Sequence, residues 1–440
     1  MLQPMTPPNA GRDGFSAARG SVRARQGSGF FVRFLSFLGP GYLVATGYMD
    51  PGNWATAIAG GSEFGMRLLF VAVLSSLMAI LLQALSARLA FGSGLDLAQA
   101  CRACLPRWAN IGLWLTQELA ILATDLAEVI GTAIGLQLLF GLPLWLGALV
   151  TALDVYLVLA FERFGFRKLE AFVIALLLVI SVCFAIQLAL AKPDWQEAAQ
   201  GLTPSLEIVR DPKMLYLALG ILGATVMPHN LFLHSGIVQT RYVAANDSAR
   251  REAMHFALAD SAIALVFALV INASILILSA AAFHSHGHVE VAEIGDAYRL
   301  LAPMLGAPIA AKLFAIALIA CGLNSSLTAT LAGQLIMDGF IQMRFSPAIR
   351  RLITRTLTIA PAVAVLWIAG ESAMSRMIVL SQVVLSFALP FAILPLVWFT
   401  ASRQIMGPLT APRLTTVIAA IIGVGISVLN VKLIYDSLFG

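Results

Sequence analysis

Two short segments place side chains that can bind a metal beside residues that interrupt a helix. In the first, DPGN at residues 50–53, Asp50 supplies a carboxylate and Asn53 an amide oxygen. In the second, MPHN at residues 227–230, Met227 supplies a thioether. Proline lacks a backbone N–H and disturbs the preceding turn, so each segment also frees carbonyl oxygens. Hard oxygen ligands beside a soft thioether favour a first-row divalent metal, such as manganese or iron(II), over calcium or magnesium.

Two histidines belong to the second segment and its continuation. His229 and His234 are five residues apart, which separates them by roughly 140° around a helix. They are therefore poorly placed to chelate one ion together. A titratable histidine beside a metal site fits proton handling. A polar contact inside the protein is the alternative for each of them, and for His234 the two interpretations are equally open.

A third segment carries acids inside an apolar block. Asp125 and Glu128 are spaced i and i+3, which puts them on one face of a helix, and Glu118 precedes them by about two turns. Acids within a membrane need partners or protons. Arg350 and Arg351, at the start of a later apolar block, could supply the countercharge. The alternative is an ion-pair network that only holds helices together.

The elements that must position these residues are membrane helices. Hydrophobic residues make up 59% of the 440 residues and charged residues only 12%, with a mean hydropathy of +0.88, whereas soluble domains carry about 25% charged residues. Apolar blocks recur, and roughly 20 residues suffice to span a bilayer. We predict an all-α polytopic membrane protein with eleven transmembrane helices, at about 36–60, 66–90, 109–138, 142–161, 169–191, 214–237, 256–283, 306–336, 351–369, 377–400 and 414–436.

The two interrupted segments predict an inverted repeat. Each has the form x-Pro-x-Asn, and each lies in the first helix of a run of five. Because five is odd, the second run enters the membrane from the opposite face. We therefore predict repeat one at about 36–191, repeat two at about 214–400 and an extra helix at about 414–436, with discontinuous helices 1 and 6. In such transporters the site lies at the midplane, where two broken helices meet. Simple proline kinks are the alternative.

The distribution of charge predicts the orientation. Most of the 28 lysines and arginines lie on one side, in the N-terminal segment and after the even-numbered spans. Positive residues mark the cytoplasmic side, so the N-terminus is expected in the cytoplasm and the C-terminus outside. Residues 1–33 read as a disordered cytoplasmic tail and 34–440 as one membrane domain. The excess of positive charge is explained by this orientation, so no nucleic-acid partner is expected. The outer loop His284–His288 could gather metal ions, although a solvated loop is the default.

The two segments, with the continuation LFLHS after the second, resemble the Nramp family of proton-coupled divalent metal transporters, in particular the bacterial manganese transporters. The resemblance extends over about residues 34–436. It implies a LeuT-like fold with a 5+5 inverted repeat. It also implies a bacterial inner membrane location and divalent metal ions and protons as partners. By this resemblance the metal ligands are the side chains of Asp50, Asn53 and Met227 and the carbonyls of Gly47 and Ala224.

The resemblance covers two further stretches. A glutamine in LSQVVLS at residues 380–386, Gln382, matches one that approaches the metal in the family. The acids of the third span and the second of the paired arginines resemble a proton route toward the cytoplasm. The proton pathway is therefore expected to comprise Asp50, His229, Asp125, Glu128, Arg351 and His234. The metal would be cargo, so no cofactor, no enzyme activity and no obligatory protein partner are expected.

Three other functions are consistent with parts of the pattern. A carrier of the same architecture could move an amino acid with sodium, but the thioether of Met227 speaks against it. An intramembrane metalloprotease would need clustered His and Glu ligands with an activated water, and the sequence shows no such cluster. A passive channel could share the same binding residues. Only proton coupling separates such a channel from a symporter.

Overall fold

The structure is a computed structural model that describes residues 19–22, 29–154, 156, 166–244, 246–288, 291, 294–341 and 347–439. Within these residues the protein is almost entirely helical. The helices, numbered α1 to α19 in chain order, are Phe30–Phe37, Pro40–Gly47, Pro51–Phe64, Leu69–Ser93, Leu97–Cys104, Arg107–Phe140, Leu144–Thr151, Phe166–Ala191, Trp195–Gln200, Glu207–Arg210, Pro212–Thr225, Pro228–Ile237, Asp247–Ala282, Ile294–Leu305, Pro308–Phe340, Pro347–Ala369, Ser372–Ala401, Arg403–Met406 and Arg413–Phe439.

Both predicted breaks are present. Helix α2 ends at Gly47, and α3 begins at Pro51 with Asp50 as its N-cap. Helix α11 ends at Thr225, and α12 begins at Pro228. Proline is favourable at the first helical position because its missing N–H has no partner there in any case. At both breaks a proline therefore prevents the first half-helix from continuing and starts the second. This confirms the discontinuous helices that the sequence predicted.

An additional break lies earlier in the first predicted span. We expected that span to start near residue 36, but α1 and α2 are separate helices joined at Leu38 and Gly39. Gly39 has φ +137°, a conformation that favours glycine. Its N–H donates to the Asp260 carboxylate at 3.2 Å, and the N–H of Gly41 donates to the same carboxylate at 2.7 Å. The two buried N–H groups at this turn therefore find their acceptor on α13.

The number of spans agrees in part with the prediction. Ten stretches of the described chain are long and apolar enough to cross a membrane. Of the predicted span at 142–161, the structure describes residues 142–154, which include α7, and Tyr156, while residues 155 and 157–165 lie outside the described residues. The total of eleven therefore stays a prediction. The connections between the fifth and sixth and between the seventh and eighth predicted spans contain the short helices α9, α10 and α14.

The broken helices lie at the centre of the protein. Every residue of α12 is buried, and α12 packs against α4 and α15. Helix α13 packs against α2, α3 and α4. At the periphery, α19 exposes a row of apolar side chains, among them Leu414, Ile421 and Val428, as expected of a helix that faces lipid. The polar breaks are thus enclosed by helices whose outer faces are apolar.

A short part of the N-terminal segment has defined contacts. The backbone N–H groups of Gly20 and Val22 donate to carbonyls in Gln239–Tyr242, each at 3.0 Å. The Arg19 guanidinium donates to the Gln99 side-chain oxygen at 2.9 Å. The predicted disordered tail of residues 1–33 thus includes a segment, residues 19–22, that contacts α5 and the chain just after α12, and its last residues, 30–33, belong to α1. Residues 1–18 and 23–28 lie outside the described residues.

The packing of Gly41 gives a testable prediction. A Cβ at this position would lie 2.6 Å from the backbone N and Cα of Ser261 on α13. We expect Gly41→Ala to destabilise the protein by about 1–3 kcal/mol, because backbone cannot move aside as a flexible side chain can. The measurement is the unfolding midpoint of the detergent-solubilised protein. Gly112→Ala on α6 is the control, since a Cβ there meets nothing within 4 Å. Equal midpoints for the two variants would contradict this packing.

Candidate functional site

The side-chain amide of Asn53 joins the two breaks. Its Nδ2 donates to Asp50 Oδ1 at 2.8 Å and to the carbonyl oxygen of Ala224 at 2.9 Å. One acceptor belongs to the break between α2 and α3, and the other to the break between α11 and α12. Oxygens from both broken helices therefore converge on one point. The structure brings these three predicted ligand residues together.

The chain geometry explains why backbone oxygens are free at this place. In an α-helix a carbonyl accepts from the N–H four residues later. Four residues after Gly47 stands Pro51, and four residues after Ala224 stands Pro228. Proline has no N–H to donate. Neither carbonyl can therefore make its ordinary helical hydrogen bond. The Ala224 carbonyl accepts from Asn53 instead, and the Gly47 carbonyl is a second candidate ligand for a metal ion.

The Asp50 carboxylate is fully buried. Its Oδ1 accepts from the Asn53 backbone N–H at 2.8 Å and from the Asn53 side chain. Its Oδ2 has no hydrogen-bond partner among the described residues. A buried charged oxygen without a partner is costly, so this atom is suited to bind a cation or a proton.

Met227 and Gln382 border the same region. Met227 is fully buried at the N-terminus of α12, and its sulfur accepts from the Asn230 amide at 3.6 Å. Gln382 lies so close to Gly52 that a Cβ on that glycine would overlap the Gln382 amide. The Gln382 side-chain oxygen is buried and has no hydrogen-bond partner within the described chain. The structure thus places Gln382 against the first turn of α3, at a glycine that lies between Asp50 and Asn53 in the sequence.

The donor set has one acid and several neutral ligands. No group of three or more His, Cys, Asp or Glu side chains that could hold a metal occurs among the residues the structure describes. Here Asp50 is joined instead by amide, carbonyl and thioether groups. A single negative charge opposite a divalent ion leaves a net positive charge, an arrangement suited to an ion that must also leave.

The two histidines have different surroundings. His234 Nδ1 lies 3.0 Å from the Gln83 side-chain oxygen, and the Gln83 amide donates to the Tyr48 hydroxyl at 2.6 Å. This chain of contacts connects α12 to the break beside Asp50. His229 is buried and close enough to Asp125 on α6 for their charges to interact. His229 therefore lies between the second break and the acidic segment.

The arginine partners agree in part with those suggested by the sequence. Arg350 Nη2 lies 3.0 Å from Glu118 Oε1, so this arginine forms a salt bridge with the first of the three acids on α6. Glu128 is approached at 3.6 Å by Arg355 Nη2, one turn further along α16. The side chain of Arg351 lies outside the described residues, so its predicted place in the proton pathway stays a prediction.

Three polar residues near the site, Arg355, Asp154 and Asn272, were not predicted as site residues. Arg355 also contacts the carboxylate of Asp154, and an aspartate in an apolar block was a signal that could have found it. Asn272 donates to the Tyr48 carbonyl at 2.7 Å and lies 3.5 Å from Asn53 Oδ1. This hydrogen bond from α13 holds the polypeptide immediately before Asp50.

The loop at His284–His288 is oriented partly inward. His284 Nδ1 lies 2.9 Å from the Ser62 carbonyl. The acids Glu290 and Glu293, which follow this loop in the sequence, lie outside the described residues. The suggested gathering of ions by this loop therefore stays a prediction.

Comparison with known proteins identifies the family. Residues 41–436 match the Nramp family, described as natural resistance-associated macrophage protein-like. The divalent metal cation transporter MntH of Agrobacterium fabrum is 58% identical over 421 residues, covering 96% of this chain and 91% of the relative. A crystal structure of the Eremococcus coleocola manganese transporter is 41% identical, with a TM-score of 0.86 and coverage of 94% and 89%.

A more distant structure shares the fold alone. It is a nucleobase-cation-symport-1 family transporter in a closed conformation, 17% identical with a TM-score of 0.60, and the match covers 96% of this chain and 93% of that one. The apolar helices and these matches identify a multi-pass membrane protein with the LeuT-like fold. The relatives are named as transporters, not as enzymes. This chain belongs to the Nramp family.

Proposed function

We propose that this protein carries divalent first-row metal ions, manganese or iron(II), into the cytoplasm together with protons by alternating access. The observation that carries the proposal is the convergence of Asp50 Oδ1 and the Ala224 carbonyl, from two different broken helices, on the Asn53 amide. The names of the relatives, divalent metal cation transporter and manganese transporter, support the same substrate class.

Rotation of the Asn53 amide would convert the bridge into a metal site. The nitrogen and oxygen of an asparagine amide exchange places when the group turns by half a revolution. The Asn53 oxygen would then face the cation together with Asp50 Oδ1 and the Ala224 carbonyl. The Gly47 carbonyl, the Met227 sulfur and the Gln382 oxygen are the remaining candidates. The soft sulfur would favour manganese and iron(II) over calcium and magnesium.

The proton is proposed to leave by a separate route. Asp50 can take a proton on its unpartnered oxygen, and His229 lies between the second break and Asp125. From there the route continues to Glu128, with Arg351 retained as a predicted member. His234 contacts Gln83 and, through it, Tyr48. This gives a second hydrogen-bonded path toward Asp50.

The proposed setting is the bacterial inner membrane, with the N-terminus in the cytoplasm and the C-terminus outside. The inside-negative potential then favours cation import by about 2.3 kcal/mol per charge for each 100 mV. The metal is cargo in this proposal, and neither a cofactor nor a protein partner takes part.

The test is manganese uptake into proteoliposomes with simultaneous recording of the internal pH. We expect saturable uptake accompanied by internal acidification, and an imposed inward proton gradient should drive manganese accumulation. Gly112→Ala, which alters a surface position of α6, should behave like the unmodified protein. Manganese movement without any proton movement would indicate a channel. Dependence on sodium, with calorimetric binding of an amino acid and none of manganese, would indicate the amino-acid carrier.

A further inference from the structure

A second polar cluster lies inside the helix bundle, apart from the metal ligands. Arg355 on α16 contacts the carboxylate of Asp154, and its Nη2 lies 3.6 Å from Glu128 Oε2 on α6. The side chains of Arg355, Glu128 and Asp154 are 3%, 0% and 6% exposed. One buried guanidinium therefore lies between two buried carboxylates that belong to different predicted spans.

Consecutive serines on α15 support these two carboxylates. Ser325 Oγ donates to Glu128 Oε1, and Ser326 Oγ donates to Asp154 Oδ2. Arg355 Nη2 also donates to Ser326 Oγ at 2.6 Å. Each carboxylate thus has a hydroxyl partner, and the two hydroxyls belong to neighbouring residues of α15, so polar side chains lie between Glu128 and Asp154.

Other charged or titratable groups surround the cluster. The backbone carbonyl of Asp125 accepts from Arg355 Nη1 at 3.4 Å, while the Asp125 side chain interacts with His229. Cys321 on α15 lies near Glu128. Arg351 is on α16 with its side chain outside the described residues, and Arg350 is paired with Glu118. The cluster therefore adjoins the proposed proton route at Asp125 and Glu128.

We propose that Asp154 is a further proton-carrying residue of the transport cycle, which receives the proton from Glu128. The inference rests on the proposed proton coupling. In the step, the Glu128 carboxylic acid loses its proton to the Asp154 carboxylate. Glu128 becomes charged and Asp154 neutral. Arg355 then shifts from Asp154 toward the newly charged Glu128, so that a buried carboxylate has a charged partner both before and after transfer.

The position of Asp154 in the chain suits release toward the cytoplasm. In the proposed orientation the fourth span starts outside and contains α7, Leu144–Thr151, near its outer end. Asp154 follows α7 and therefore lies in the cytoplasmic half of the predicted span 142–161. A proton that reaches Asp154 has moved from α6, which faces the metal site, to the fourth span, on the other side of Arg355.

The test compares Asp154→Asn with the unmodified protein in proteoliposomes, with manganese and proton fluxes recorded together. Asparagine keeps the size of the side chain and can still accept hydrogen bonds from Arg355 and Ser326, but it cannot take up a proton. We expect metal-coupled proton uptake to fall by about 100-fold, the typical contribution of a positioned proton-transfer group. Manganese binding measured by calorimetry should be unchanged, and the pH dependence of uptake should become flatter.

Two controls separate proton transfer from packing. Ser326→Ala removes a hydrogen-bond partner of Asp154 but keeps every titratable group of the cluster, so the proton-to-metal ratio should fall less than it does in Asp154→Asn. Asp194→Asn removes a carboxylate from the exposed N-cap of α9 and should change neither flux. If Asp154→Asn does not fold, Asp154→Glu keeps a titratable group and should shift the pH midpoint of uptake.

The outcomes distinguish this inference from the proposed function. An unchanged proton-to-metal ratio and pH profile in Asp154→Asn, or an unchanged midpoint in Asp154→Glu, would overturn the role of Asp154. Manganese transport without proton movement in the unmodified protein would instead overturn the proposed coupling itself.

Discussion

Replacing Asp50 with asparagine is expected to lower manganese uptake into proteoliposomes by at least about 100-fold, since each 1.4 kcal/mol of lost binding is tenfold. The carboxylate is buried, and one of its oxygens has no hydrogen-bond partner in the described chain. Two unit charges about 4 Å apart attract by about 4 kcal/mol at an effective dielectric constant near 20. Asparagine is also a good N-cap, so α3 should keep its start while the charge is lost.

The chain offers a matched control for this substitution. Asp211 is likewise the N-cap of a half-helix, α11, and its side chain accepts from the N–H groups of Lys213 and Met214. Asp211→Asn makes the same chemical change at a partly exposed position away from the site, and uptake should be retained. If both variants transport manganese like the unmodified protein, with equal unfolding midpoints, Asp50 is not a metal ligand.

Replacing Met227 with alanine is expected to weaken discrimination against calcium and magnesium. The thioether contributes little to binding hard cations and more to binding softer ones. We expect manganese uptake to fall by about tenfold, corresponding to about 1.4 kcal/mol, and excess calcium to compete more effectively. The measurement is uptake of radioactive manganese at a series of calcium concentrations.

The control for Met227 must reproduce the loss of volume. Truncation of a buried methionine costs about 2–5 kcal/mol of stability wherever it occurs. Met214 is also buried, at the start of α11, and Met214→Ala creates a comparable cavity without removing a sulfur from the site. Calcium competition should be unchanged in Met214→Ala. Equal competition in the two variants would count against a role of the thioether in selectivity.

The sequence was sufficient to predict the breaks and the residues at them. Proline has a local effect on its own helix, so Pro51 and Pro228 mark the broken positions without knowledge of the packing. The pairing of Asp50 with Asn53 is also local, since an N-cap contacts residues three positions later. The contact between Asn53 and Ala224 is not local, and it was expected only because inverted repeats bring two such breaks together.

Contacts between side chains on different helices were harder to predict. Whether Glu128 meets Arg350, Arg351 or Arg355 depends on the rotation of α16 about its own axis, and one helical turn separates Arg351 from Arg355. Asp154 was missed for a similar reason, because its partners come from α15 and α16. The attachment of residues 19–22 uses backbone groups, which every residue type carries, so their side chains give no signal of it.

The amide bridge at Asn53 also limits how tightly an ion can be held. An arriving cation must displace two internal hydrogen bonds, from Asn53 to Asp50 and to Ala224. At a net value of about 1 kcal/mol for each bond, this competition lowers the affinity by more than about tenfold. When the ion departs, the Asn53 amide can again donate to the Asp50 and Ala224 oxygens. These two oxygens are then not left close together without a hydrogen-bond donor. The dwell time of the ion is thereby shortened, which favours rapid turnover over storage.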